Sequence, residues 1–116
     1  MATYNKIQAF VENLAEKVHD LGADTLKVAL TNSAPLATNT VLADITQIAN
    51  GNGYTTGGST TTQSSSAQSS GTYKLVLGDV VFTASGGSVG PFQYAVLYND
   101  TPTSPADPLI AWWDYG

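Results

Sequence analysis

The sequence predicts a mainly β (α+β) protein, an antiparallel β-sandwich or jelly-roll-like domain with one N-terminal amphipathic helix. Apolar and polar residues alternate in several short runs bounded by Gly, Pro, Asn and Ser, which is typical of half-buried strands joined by turns. Between residues 4 and 21 the apolar residues instead recur every three or four positions, as on one face of a helix. These two periodicities together predict a helix packed on a sheet.

Length and composition indicate one domain, residues 1–116. A chain of 116 residues can enclose a single core, and the absence of cysteine excludes disulfides and thiolate sites. Four lysines, no arginine and a formal net charge of -5 argue against a nucleic-acid partner, because phosphates are most often bound by guanidinium groups. No apolar run approaches the roughly 20 residues that cross a bilayer, so we expect no membrane partner.

The predicted helix spans about residues 4–21 and carries one apolar stripe. The stripe consists of Ile7, Phe10, Val11, Leu14, Val18 and Leu21. Gly22 follows, and glycine commonly supplies the left-handed residue that ends a helix. We expect this helix to lie across the sheet and close one side of the core.

The predicted β-sheet core comprises residues 26–31 and 72–116. Residues 26–31 alternate strictly, and residues 92–98 are apolar on both faces, which favours a central strand. Residues 80–82 continue in an extended, apolar style. The Ser/Thr/Gly-rich tract 55–71 offers threonines that favour strand but serines that bury nothing, so we expect part strand and part loop.

Two adjacent tryptophans stand in the last predicted strand. Neighbouring side chains of a strand point to opposite faces, so Trp112 and Trp113 cannot both enter one core. We assign the face that carries Asp114 to the outside, which places Trp112 and Ile110 there and Trp113 inward. Because an indole ring covers roughly 150–250 Å² of surface, Trp112 should be covered by a partner molecule or by a second layer of its own chain, such as the helix. We predict an association surface formed by Trp112, Ile110, Tyr98 and Tyr94.

Catalytic and ligand-binding motifs are not evident in the sequence. The single histidine, His19, is expected on the helix surface, without a neighbouring nucleophile. The nine acidic residues are scattered, which favours neither a paired-carboxylate centre nor a metal site. We therefore predict no enzymatic activity, no cofactor and no metal. The C-terminal aromatic residues leave a sugar-stacking platform open as a less favoured alternative to core and interface packing.

Three segments resemble a family of small tailed-bacteriophage virion structural proteins: residues 24–35, 94–100 and 112–116. The resemblance covers most of the chain, and its motifs are structural. It implies a β-sandwich or jelly-roll-like fold, a place in the capsid or tail, and no catalytic residues. It also implies one or two further strands after Trp-Asp-Tyr-Gly, so a chain that stops at Gly116 would leave a sheet edge for a neighbouring copy to fill.

From this resemblance and the acidic charge we expect a capsid decoration (cement) protein. It would bind the major capsid protein on the outer surface of the virion, stabilise the shell through contacts between subunits, and self-associate as a homo-oligomer, with a trimer as the expected form. The N-terminus lacks the features of a signal peptide, so synthesis in the host cytoplasm is expected. The alternatives are a tail or fibre component and a carbohydrate-contacting β module.

Overall fold

The computed structural model describes residues 3–103 and 105–115, and it confirms a mainly β fold with antiparallel sheets and one short N-terminal helix. The larger sheet has five strands in the spatial order β1-β7-β6-β2-β3. These strands are β1 (Thr3–Lys6), β2 (Leu26–Thr31), β3 (Ser59–Thr61), β6 (Tyr94–Asn99) and β7 (Leu109–Asp114). The helix α1 (Gln8–Ala15) follows β1, and a short 3-10 helix spans Leu42–Asp44.

The Ser/Thr/Gly-rich tract forms more strand than the sequence predicts. It supplies β3 and then β4 (Gln63–Ser69), which turns through Ser70 and Gly71 into β5 (Thr72–Leu77). Within the part of the chain that the structure describes, strands β4 and β5 pair only with each other, as a hairpin. Leu75 and Leu77 of β5 pack against the five-stranded sheet, which gives the fold its sandwich-like packing. The jelly-roll topology stays a prediction.

The N-terminal helix is shorter than predicted, and its first residues are strand. Residues of β1 pair with β7, with Tyr4 opposite Trp113. This pairing satisfies backbone groups along one side of β7, which a helix over the same residues would leave open. The helix ends at Ala15, followed by Lys17 at a φ of 66°, so the left-handed residue is Lys17 and not Gly22. The open sheet edge expected beside the last strand is therefore filled by the chain's own N-terminus, while Gly116 lies outside the described residues.

The central part of the sheet agrees with the sequence. Residues 26–31 form β2, and β6 lies in the middle of the sheet, hydrogen-bonded to β2 on one side and β7 on the other. Residues 80–82 do not form a strand. They belong to the irregular segment 78–93, where Val81 is 75% exposed, so the buried strand predicted there is wrong.

A β-bulge in β7 decides which side chains share a face. Leu97 lies opposite Ala111 and Tyr98 opposite Leu109, which leaves Ile110 as the extra residue. Leu109 and Trp112 consequently point to the same side of the sheet, three positions apart. Strict alternation, which assigned them to opposite sides, fails at this one residue.

Each face of the five-stranded sheet is covered by different segments of the chain. We call the side of Val96, Tyr98, Leu109 and Trp112 the helix face, because α1 and residues 37–45 pack on it. We call the side of Leu97, Ala111 and Trp113 the hairpin face, because Leu75 and Leu77 of β5 pack on it. The two tryptophans do lie on opposite faces, as the sequence predicts. Trp112 is only 9% exposed and belongs to the core of the helix face, so its assignment to the outside is wrong, and the alternative that its own chain covers the ring is confirmed.

Candidate protein-docking cleft

An apolar cleft of about 590 Å³ opens on the hairpin face, beside the area that the β4-β5 hairpin covers. Its floor is the sheet itself, where Val28, Leu30 and Ala95 present short apolar side chains. One wall is the irregular segment that follows β5, with Val81 and Phe82. The cleft exists because the hairpin covers only part of this face.

Backbone hydrogen bonds fix the wall at both ends. Gly78 N–H donates to the Thr62 carbonyl at 2.7 Å, and Ser85 N–H donates to the Asn52 carbonyl at 3.1 Å. Gly53 lets the wall approach closely, because a Cβ there would overlap the carbonyl oxygen of Thr83. The wall is therefore tied to neighbouring segments although it is not part of a sheet.

Aromatic rings form the opposite end of the cleft. Phe92 and Tyr115 make an edge-to-face contact with ring centroids 6.4 Å apart, and Trp113 makes another with Tyr4 at 5.7 Å. The Tyr115 N–H donates to the Gln93 carbonyl at 2.8 Å, which holds the first pair together. Such pairs contribute roughly 0.5–1.5 kcal/mol beyond the area they bury, so the rings are held in place before any ligand arrives.

The rim of this cleft leaves large apolar side chains in water. Val81 is 75% exposed, Tyr115 57% and Phe92 40%, while Trp113 is half-buried. The lining is apolar and aromatic apart from Gly78 and the carboxylate of Asp79. A contiguous exposed apolar patch of this kind is typical of surfaces that another molecule covers. The chemistry that the cleft offers is the binding of apolar or aromatic groups.

The four residues that the sequence assigns to an association surface are largely covered by the chain's own segments. Trp112, Ile110 and Tyr98 are buried in the chain's own core, and Tyr94 is half-buried on the helix face. Ile110 is the bulge residue and points to the hairpin face instead of sharing a side with Trp112. Buried side chains offer no surface to a partner. The candidate docking surface is therefore the cleft beside Trp113, and not the surroundings of Trp112.

Tyr98 serves a buried polar cluster rather than a surface. Its hydroxyl donates to the Gly57 carbonyl, and the Gly57 N–H donates to Gln47 Oε1 at 2.7 Å. The hydroxyl of Tyr54 also donates to Gln47 Oε1. Burial raises the pKa of both tyrosines above the ordinary value of 10.0. These phenols therefore stay neutral at physiological pH and stabilise the loop that leads into β3.

His19 lies in the interior, so its predicted position on a helix surface is wrong. The helix has ended before this residue, and the imidazole is only 6% exposed. Asn99 Nδ2 lies 3.0 Å from His19 Nδ1, and Asn99 itself is fully buried. No short-range pattern signals the burial of His19, because the helical spacing predicts a continuous helix through residue 21.

The described residues contain no cluster of three or more His, Cys, Asp or Glu side chains that could hold a metal ion. Within the same residues, no helix is long and apolar enough to cross a membrane.

Sequence reasoning missed Phe92 and Val81 as members of the site. Alternation over residues 92–98 predicts Phe92 on the face of Tyr94, but Phe92 lies two positions before β6 begins at Tyr94, where alternation no longer applies. The three glycines and the proline within residues 86–91 are a usable signal, because they mark an irregular connection that can leave flanking apolar residues exposed.

Comparison of the chain with family models, with curated proteins and with solved structures finds no match. These comparisons do not link the chain to phage structural proteins. The fold is therefore described from its own geometry, and the resemblance found in the sequence supports only a proposal.

Proposed function

We propose that this chain is a non-enzymatic virion structural protein of a tailed bacteriophage, a capsid decoration (cement) protein that stabilises the outer shell by adhesion. The observation that carries the proposal is the aromatic cleft on the hairpin face, whose rim leaves Val81, Phe92 and Tyr115 exposed. The resemblance of residues 94–100 and 112–116 to phage virion proteins supplies the biological setting. The cleft offers apolar surface to a partner, which is what an adhesive protein needs.

In this proposal the cleft receives an apolar or aromatic side chain of the major capsid protein. Covering apolar surface contributes roughly 25 cal/mol per Å², and association costs at least several kcal/mol of lost translational and rotational freedom. One cleft therefore gives weak binding. Binding becomes strong when copies joined as a homo-oligomer, with a trimer as the expected form, engage several identical capsid sites at once.

The charge of the chain supports a place outside the shell. A formal net charge of -5 with four lysines repels packaged DNA and suits exposure to solvent. The proposed location is the outer surface of the virion, after synthesis in the host cytoplasm.

The number of copies per particle tests this location. We expect quantitative mass spectrometry of purified, washed virions to find hundreds of copies, as a protein repeated over the capsid lattice requires. A few dozen copies or fewer would move the proposal to the tail or fibre, and washed virions without the protein would contradict a structural role altogether.

The cleft itself is tested by adding purified protein to shells that lack it. Val81→Asp puts a carboxylate on the rim, and we expect it to abolish shell binding, while Val81→Thr, which keeps the shape without the charge, should weaken it. Val11→Asp is the matched control, because Val11 is a similarly exposed valine, 53% accessible, on the helix. Equal binding of the Val81→Asp and Val11→Asp variants would exclude the cleft as the contact.

A carbohydrate-contacting β module is the second candidate, favoured by the exposed rings of Tyr115 and Phe92 beside the half-buried Trp113. Flat aromatic rings stack on the apolar faces of sugars. This candidate predicts quenching or a blue shift of tryptophan emission on titration with host surface glycans, and loss of that change in Tyr115→Ala. The apolar lining of the cleft, with few hydrogen-bonding groups, makes protein the favoured partner.

A further inference from the structure

A buried polar cluster attaches the turn after the helix to the end of β6. Asn99 is its centre: Asn99 Nδ2 donates to Asp24 Oδ2 at 2.7 Å and lies 3.0 Å from His19 Nδ1, while Asn99 Oδ1 accepts the Thr101 N–H at 3.1 Å. Asp24 Oδ2 also accepts the Asp20 N–H at 2.8 Å. The Thr101 and Asp24 contacts fix which end of the Asn99 amide faces the imidazole.

The orientation of the Asn99 amide determines which ring nitrogen of neutral His19 carries the proton. Because an NH₂ group faces Nδ1, the ring accepts there and carries its single proton on Nε2. Nε2 is buried and finds no hydrogen-bond partner among the residues that the structure describes. A second proton, on Nδ1, would face the amide donor of Asn99, so the imidazolium would have two N–H groups and no acceptor.

The N-terminal helix depends on contacts near the same ring. Phe10 of α1 packs on His19 with ring centroids 5.3 Å apart. The helix has eight residues, no side-chain N-cap and no fully buried residue, so packing rather than intrinsic stability keeps it folded. A change at His19 is therefore transmitted to α1 through Phe10.

We propose that His19 is a pH-sensitive switch: the neutral imidazole holds residues 8–24 against the sheet through Asn99 and Phe10, and protonation releases this segment. Release would uncover the part of the helix face on which Ala9 and Phe10 pack. The switch is a property of the isolated chain and does not depend on the function proposed above.

The groups around the ring set the direction of the response. Its own turn presents Asp24, β6 presents the neutral Asn99, α1 presents Phe10, and β4 contributes the neutral Gln63, whose Nε2 donates to the carbonyls of Leu21 and Asp24. Burial lowers the pKa of His19 from its ordinary value of 6.5, and the charge of Asp24 opposes this only in part.

His19 binds a proton more tightly when residues 8–24 are released than when they are packed against the sheet. The packing of residues 8–24 against the sheet is therefore most stable at pH values above 6.5, the ordinary pKa. It weakens as the pH falls from 6.5 to the lowered pKa that His19 has in the packed state. Within this window the released population rises up to about tenfold for each pH unit.

The exposed neighbours of His19 and a separate acidic pair lie outside this mechanism. Lys17 and Asp20 are close in the chain, but both side chains are exposed. In contrast to His19, Asp107 has a raised pKa, because of its burial and its contact with Asp100. The Nζ atom of Lys27 lies 3.6 Å from Asp100 Oδ2. Asp107 is therefore a second group that titrates above the ordinary aspartate range, and the test must separate it from His19.

The first test is an NMR titration of the wild-type chain, which needs no variant because the sequence has one histidine. We expect a pKa below 6.5 and, at neutral pH, nitrogen shifts of the Nε2–H form. A pKa at or above 6.5, or the Nδ1–H form, would overturn the proposal.

The second test measures amide hydrogen exchange at about pH 7.5 and about pH 5, corrected for the intrinsic rate. In the wild type, residues 8–24 should lose protection at the lower pH while β2 and β6 keep theirs. His19→Asn keeps an acceptor near the Nδ1 position but does not titrate, and should lose none. Asp107→Asn is the matched control and should behave like the wild type. Equal loss in wild type and His19→Asn, or no loss in the wild type, would refute the switch.

Discussion

The two faces of the five-stranded sheet carry one tryptophan each, and they are completed in different ways. On the helix face, Trp112 is enclosed by α1 and by residues 37–45, so the chain covers this side with its own segments. On the hairpin face, β5 covers one part, and the ring of Trp113 stays half-buried at the edge of an open cleft. The comparison shows that adjacent, chemically identical side chains can serve the core and the surface according to what packs above them.

Replacing Trp112 by alanine is the strongest test of this difference. We expect Trp112→Ala to lower the free energy of unfolding by about 3–5 kcal/mol, because a large ring leaves an enclosed site. Urea unfolding followed by circular dichroism measures the loss. A variant that stays as stable as the wild type but no longer self-associates would instead restore Trp112 to an intermolecular surface.

Gly53→Ala tests whether the cleft wall is held where the structure places it. Gly53 has a φ of 103°, and a Cβ there would overlap the Thr83 carbonyl, so we expect a loss of about 1–3 kcal/mol and a displaced wall. Gly51→Ala is the matched control: its φ is 122°, but apart from its chain neighbours no described residue has an atom within 4 Å of the added Cβ. The difference between the two variants in thermal unfolding isolates the overlap from the backbone strain. Identical losses would mean that the wall does not rest on Gly53.

Trp113→Ala should cost less than Trp112→Ala. A half-buried ring at an open cleft loses fewer contacts, and we expect about 1–2 kcal/mol. The fluorescence of single-tryptophan variants gives an independent comparison: Trp112 alone should emit at shorter wavelength than Trp113 alone. A larger loss for Trp113→Ala, or the opposite order of emission, would reverse the assignment of the two faces.

The sequence predicted the main features of the sheet because they follow from local periodicity. Residues 26–31 alternate cleanly and residues 94–98 are apolar on both faces, and the structure places them as β2 and in the central β6. The opposite orientation of the two tryptophans follows from the same rule. Period-two patterns are read correctly where the strand is regular and both neighbours in the sheet are present.

The errors arose where tertiary contacts override local pattern. The bulge at Ile110 shifts alternation by one residue, and nothing in the composition of residues 109–114 marks it. Residues 3–6 could continue the helical stripe, but pairing with β7 draws them into the sheet. His19 is buried by an asparagine 80 residues away in the chain, a contact that no short-range pattern reveals.

The site was located only in part for the same reason. The sequence indicates the C-terminal aromatic residues as candidates but favours Trp112 over Trp113, because the charge of Asp114 predicts an outer face where α1 and residues 37–45 in fact pack. Val81 and Phe92 belong to an irregular segment, where exposure is set by the path of the backbone and not by periodicity.

Val81→Asp should have the smallest effect on folding and the clearest effect on the proposed contact. The side chain is 75% exposed, so we expect the free energy of unfolding to change by no more than about 0.5 kcal/mol. Binding to the partner should nevertheless be lost, because a carboxylate in a covered apolar contact would be buried without a counter-charge. A cleft that matters only for packing would show the reverse, a loss of stability with binding unchanged. Stability from thermal unfolding and binding from cosedimentation, measured on one preparation, distinguish the two cases.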